Sequence, residues 1–271
     1  MNGPLAQLIS LVSYGNEFIR NGNADPAYKS NDVFKFCDPV LFKTYKEGLL
    51  SKKKKINAGN DPVEWFQFIK QDGCKELKIV YQHSKDQEKY KDFQLAGFVG
   101  GGGNWFIETI YEKHSDFWYA HWNFQKAEPY ENSRWEVVYE AVLRKKRTIN
   151  QQFQLEAAKD ELLKALTSIE QFATAEKLNE WAEWFRKALE ALQANDPTSY
   201  YPIRQMMVEK NYSLTALQLI FGAAQSWVFG GMGSWNDVGF EKMETTEHYH
   251  QLTGDLYEAV LKAIVAGINS Y

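Results

Sequence analysis

Trp135–Leu143 (WEVVYEAVL), followed after the basic run Arg144-Lys145-Lys146-Arg147 by Leu155–Phe172 (LEAAKDELLKALTSIEQF), decides the fold. The first segment is built from aromatic and β-branched residues and reads as a strand. In the second, Leu155, Ala158, Leu162, Leu166, Ile169 and Phe172 recur at helical spacing and form one apolar face. The chain therefore changes from strand-forming to helix-forming near residue 147, and the class is α+β.

Upstream of this switch, Leu77, Ile79 and Tyr81 alternate with Lys78, Val80 and Gln82, and the period-two pattern opens a strand-rich stretch. Phe93–Val99, Trp105–Tyr111 and Phe117–Phe124 read as further strands, so an antiparallel meander of about five strands is expected. Gly100-Gly101-Gly102-Gly103-Asn104 supplies the turn between the second and third of them. Flanking helices are predicted over residues 4–20, over Val40–Leu50 with Leu41, Tyr45 and Leu49 on one side, and from Pro62 with Trp65, Phe66 and Ile69 inward. Asn23–Asn31 reads as a loop, and Lys52–Lys55 as a solvated one.

Downstream, Leu178, Trp181, Phe185, Leu189 and Leu192 form a second helical face, ended by Asn195-Asp196-Pro197. Ser213 is an N-cap for a third helix reaching Trp227, and a fourth runs from about Glu244 to Ile268. Residues 1–147 thus form an α+β region with an aromatic-rich sheet, and residues 148–271 a helical bundle. Residues 144–155 read as a linker or as a direct strand-to-helix junction.

At 271 residues, with 44% hydrophobic, 15% aromatic and 24% charged residues, the chain has enough apolar area for a core. The net charge of −4 hides an asymmetry: residues 1–150 carry 22 Lys/Arg against 19 Asp/Glu, whereas residues 151–271 carry 9 against 16. The acidic half repels phosphates and suits a basic protein partner, not nucleic acid. Cys37 and Cys74 are too few for a disulfide framework and lack metal-ligand spacing. Neither a secretory signal nor a membrane span is read, so the expected compartment is the cytoplasm.

The candidates for chemistry are few. The run Gly100–Gly103 is followed by a strand-like segment, not a helix N-terminus, and reads as a turn, not a phosphate cradle. His248 and His250 stand at i, i+2 on a helix and point to different faces, and His114 and His121 are an odd seven residues apart. No metal and no cofactor are expected.

Phe229-Gly230-Gly231-Met232-Gly233-Ser234-Trp235-Asn236-Asp237 is different, with three glycines within four residues next to short polar groups and an indole. Glycines in such density indicate repeated turning or close approach by another group. A Trp beside a polar loop has the composition of an interface anchor. A structural reading competes, in which Trp235 plugs the bundle and Asp237 caps the next element.

Ser226–Asp237 (SWVFGGMGSWND) resembles the Gly-Gly-Met-Gly-Ser-aromatic-Asn-Asp signature of a bacterial family of small helical proteins. The resemblance extends over residues 178–266 and leaves out the strand-rich half. It implies kinship with immunity proteins of bacterial toxin systems, with Gly230, Gly231, Met232, Gly233, Ser234, Trp235, Asn236 and Asp237 as the residues contacting a partner. The expected function is a non-enzymatic binding protein, an immunity-type inhibitor of a protein partner. The alternative is a hydrolase with Asp237 as base or metal ligand, assisted by Ser234 or His248, and a third reading is a subunit of a larger assembly.

Overall fold

The computed structural model describes residues 1–23, 31–47, 53–85, 91–146, 154–201 and 205–271. Over these described residues it is α+β: a six-stranded sheet and seven α-helices, the last four in the C-terminal region. Most of the expected loop at 23–31, the end of the Val40–Leu50 helix and most of the 144–155 junction lie outside the described residues.

The sheet order is β2-β1-β6-β5-β4-β3. Strands β3 (Glu76–Gln82), β4 (Asn104–Ile110), β5 (His114–Gln125) and β6 (Arg134–Lys146) form an antiparallel meander of four of the five expected strands. Two corrections complete the sheet. Val40–Leu50, predicted as a helix, supplies β1 (Cys37–Glu47), which pairs in parallel with β6, making the sheet mixed. Lys53–Lys55, read as loop, open β2 (Lys53–Gly59), antiparallel to β1. Over Val40–Thr44 the apolar positions fit either period, and Val40, Phe42 and Thr44 alternate into the interior. The lysines suit an edge strand, where charge discourages pairing with another chain.

Phe93–Val99 is also corrected. Asp92–Leu95 is one short helical turn, α3, so Gly100–Gly103 joins α3 to β4 and is not a hairpin between strands. Phe98 and Val99 are exposed. Without a neighbouring strand to take its backbone hydrogen bonds, this aromatic segment gains nothing from extending.

Helix α1 (Gly3–Asn21) is the hub. Every residue from Leu5 to Phe18 is buried, polar ones included. Most of its polar side is met by other parts of the chain: Tyr139 donates to Gln7 Oε1 at 2.8 Å, Val208 N–H to Ser13 Oγ at 2.9 Å, and Asn211 Nδ2 to Glu17 Oε2 at 2.7 Å, while Gln7 Nε2 is buried without an acceptor. Buried polar groups partnered in this way cost little and fix orientation. Helix α2 (Pro62–Gln71) stacks Trp65 on Phe42 of β1, ring centroids 4.4 Å apart, and Phe42 stacks on Tyr139 of β6 at 5.1 Å.

The bundle comprises α4 (Leu155–Ala175), α5 (Asn179–Ala191), α6 (Leu214–Gln225) and α7 (Met243–Ile268). Ser213 caps α6 by accepting from Ala216 N–H at 3.2 Å, as its sequence predicts. One apolar cluster runs through sheet side and bundle alike. Two asparagines clamp the sheet to the helices. Asn16 of α1 both donates to Leu77 C=O and accepts from Leu77 N–H, and Asn269, just past α7, does the same at Ile79. Each amide imitates the peptide of a missing seventh strand and closes the β3 edge. None of the described helices is long and apolar enough to cross a membrane.

Candidate functional site

After α6 the chain runs through Trp227, Val228 and Phe229 into the glycine-rich loop. Gly230 meets the backbone of Gly97 so closely that a Cβ on Gly97 would lie 2.3 Å from the Gly230 carbonyl carbon. The close approach foreseen for these glycines is therefore made by the chain's own α3–β4 connection. Ser234 N–H returns to Gly231 C=O at 3.1 Å, with Gly233 at φ 81° inside the turn. Ser234 then caps a single 3₁₀ turn, Trp235–Asp237, its hydroxyl accepting from Asn236 N–H at 3.3 Å. Asp237 closes the loop on itself by accepting from Gly233 N–H at 2.5 Å.

These caps turn Trp235 inward. Its ring is fully buried, packed edge-on against Phe185 at 5.1 Å and Trp181 at 5.6 Å and beside Tyr249 at 5.2 Å. The indole N–H donates to Thr253 Oγ1 at 2.9 Å, and the Tyr249 hydroxyl donates to Trp235 C=O. Asn236 Nδ2 reaches Phe93 C=O of α3 at 2.9 Å. Of the two readings of Trp235, the plug inside the bundle is the one found and the outward interface anchor is not: burying so large an apolar ring with its one donor satisfied favours the inward arrangement. Trp235 and Asn236 are staples. Gly231, Met232, Gly233 and Asp237 remain exposed, and Met232 projects wholly into solvent.

The residues of the hydrolase alternative are committed separately. Ser234 is a cap, the Asp237 carboxylate takes a main-chain N–H, and His248 packs edge-on to Phe172 at 5.2 Å. Asp237 lies outside the groove that borders the loop. His250 stands beside Phe93 at 6.3 Å, on another side of α7 from His248.

That groove, about 480 Å³, is what the sequence reading missed. Trp181 and Trp184 of α5, Trp227 to Gly230, Gly233 and Ser234 of the loop, and Gly97 line it. Trp184 is 44% exposed, yet its indole N–H donates to Gln225 C=O at 2.7 Å. Trp227 likewise donates to Phe229 C=O at 3.1 Å. With these N–H groups engaged by main chain, both rings offer carbon and π surface. The pair Trp181/Trp184 at i, i+3 was a readable signal, because Trp184 falls just beside the buried stripe of Phe185, Ala188 and Leu192.

A second polar cluster joins sheet and bundle on another side. The buried Asp92 accepts from Tyr81 Oη at 2.8 Å and from Ser84 N–H at 3.2 Å, and faces His83 Nδ1 at 3.1 Å. His83 Nε2 lies 3.4 Å from Glu258 of α7. Burial alone would raise the Asp92 pKa, but hydrogen bonds from Ser84, Tyr81 and His83 outweigh it and hold the carboxyl below its ordinary value. Among the described residues no group of three His, Cys, Asp or Glu side chains is placed to hold a metal.

Comparison with known proteins finds no matching family model, no similar curated protein and no similar solved structure.

Proposed function

We propose that the chain is a non-enzymatic cytoplasmic binding protein, an immunity-type inhibitor that docks a basic protein partner on the face formed by the loop apex and the tryptophan groove. One observation carries the reading. An open groove lined by three tryptophans lies beside a loop that is internally tied down and holds Met232 fully exposed at its tip. Exposed Trp and Met around a concave surface are characteristic of interface anchors, and a fixed loop loses little entropy on binding. The resemblance of Ser226–Asp237 to the immunity-type signature supports the same reading, as does the acidic balance of residues 151–271.

Within that reading the motif divides its labour: Gly230, Ser234, Trp235, Asn236 and Asp237 set the scaffold, while Met232 and the adjoining indoles make contact. The test is cross-linking and capture from the native host at low salt, with wild type beside Trp184→Asp and Met232→Asp. A basic protein held by wild type, lost from both variants and lost again at high salt, is the expected result. Equal capture by all three overturns the proposal.

A further inference from the structure

We propose that the tryptophan groove recognises an arginine side chain of the partner, the guanidinium lying against the indole faces and pairing with Glu180. The inference rests on the groove being the contact surface of the binding function above, and it names what that surface reads. Trp181, Trp184 and Trp227 line the groove, and Glu180 is the one charged side chain among its described lining residues. Of the two cations on α5, Arg186 is already used, pairing with Glu170 at 2.8 Å and with Glu183 at 2.6 Å, and Lys187 is not among the residues lining the groove. Glu180 has no ion pair among the described residues, and it lies on the acidic half of the chain.

The two indole N–H groups held by Gln225 and Phe229 carbonyls are not free to donate to an incoming anion or carbonyl. What remains is electron-rich ring surface with one carboxylate, which attracts cations. The Met1 α-amine that also lines the groove donates to Ala224 C=O at 3.4 Å, and burial lowers its pKa to about 5, so it adds no positive charge at neutral pH. Between the two cationic side chains, arginine fits better. Its planar, weakly hydrated guanidinium stacks on aromatic faces while its N–H fork meets a carboxylate, whereas the ammonium of lysine keeps its water.

The probes are four pentapeptides, Gly-Ser-X-Gly-Ser, with arginine, lysine, citrulline or norleucine at X. They are titrated into full-length ¹⁵N-tryptophan-labelled protein, and the nine indole N–H signals are followed, with Trp184 and Trp227 assigned by substitution. The arginine peptide is expected to shift the Trp184 and Trp227 signals saturably and to bind about tenfold tighter than the citrulline peptide. Glu180→Gln, an exposed change that leaves the core intact, is expected to remove most of that preference, and Trp184→Ala to abolish the shifts. Equal binding of arginine and citrulline peptides, tightest binding of norleucine, a lysine peptide as strong as arginine, or no shift with any peptide would each overturn the assignment. The capture experiment judges the binding function separately. Partner loss in Trp184→Asp without arginine preference here leaves that function standing and removes this inference alone.

Discussion

The molecule has two glycine-rich connections, 97–103 before β4 and 230–237 before α7, and they touch backbone to backbone at Gly97 and Gly230. Compositionally they are alike, and each has a main-chain turn of its own, Gly101 N–H to Phe98 C=O at 3.0 Å and Ser234 N–H to Gly231 C=O at 3.1 Å, but their side-chain ties differ. The first is held from outside: the Gly102 carbonyl accepts from the Tyr257 hydroxyl of α7 at 2.6 Å and from Tyr81 at 3.3 Å, and Asn2 Nδ2 holds Ala96 C=O at 3.1 Å. The second is held mostly from within, by Ser234 and Asp237 bonding to its own main chain, with Trp235 and Asn236 as its outward links. Glycine density thus marks two different requirements. One loop must fit beneath other elements; the other must coil tightly enough to put an indole inward and a methionine outward.

The severest way to break the comparison is Trp235→Ala. Removing a fully buried indole that carries a satisfied N–H and three aromatic neighbours should cost about 3–5 kcal/mol. Denaturant unfolding would show it as a large fall in midpoint, and an unchanged midpoint would mean that the indole is not sealed in. Gly97→Ala should follow at about 1–3 kcal/mol, because the added methyl meets main chain at 2.3–2.6 Å on Gly230 and Gly231, and neither backbone can rotate away as a side chain would. The two substitutions touch one junction, so their effects in the double variant should fall short of additive.

How much of this was legible follows from the kind of signal each residue gives. The long helices α4 and α7 were readable because their apolar faces repeat over many turns and one stretch of sequence settles the period. β6 was readable from the aromatic and β-branched run in Trp135–Leu143. β1 was not, because Val40–Thr44 is short enough to satisfy both periods, and its strand identity is supplied by β6 and β2 beside it. The α3 turn was misread because Phe93 and Phe98 carry strand composition in a segment with no strand to pair with. In the loop, the sequence showed that the glycines mark close approach but not by what, since Gly97 lies 133 positions away in the chain. The burial of Trp235 depends on Thr253, Tyr249 and Phe185 from other helices, and only the fold brings them together.

The outside tethers of the first loop also give it a pH dependence. The folded Asp92 carboxyl sits below its ordinary value because hydrogen bonds from Ser84, Tyr81 and His83 outweigh the cost of burial. A depressed folded pKa contributes stability that is fully present above the unfolded value, about 3.9, and is lost as pH falls through the folded value. Asp92→Asn should therefore lower stability by about 1–3 kcal/mol at neutral pH, since the amide leaves these donors poorly matched. It should also flatten the acid limb of a stability-versus-pH curve below about pH 4. A variant curve parallel to that of wild type would show that the carboxylate is not what ties β3 to α3.

The smallest expected effect tests the comparison most finely. Within 230–233 the glycines are not equivalent. A Cβ on Gly230 would meet Ser234 Cβ at 3.0 Å, and Gly233 sits at φ 81°, where a side chain is strained, but Gly231 has neither a positive φ nor any atom within 4 Å of where a Cβ would point. Gly231→Ala should leave the unfolding midpoint within about 0.5 kcal/mol of wild type, and a slight gain is expected because alanine narrows the unfolded ensemble. Gly233→Ala, two residues along, should lose about 1 kcal/mol or more. Since Gly231 is exposed beside Met232, a Gly231→Ala variant that folds as wild type yet binds the partner less well would locate a contact at the apex itself. A variant that unfolds early would show instead that the apex coils more tightly than the inward staples of Trp235 and Asn236 require.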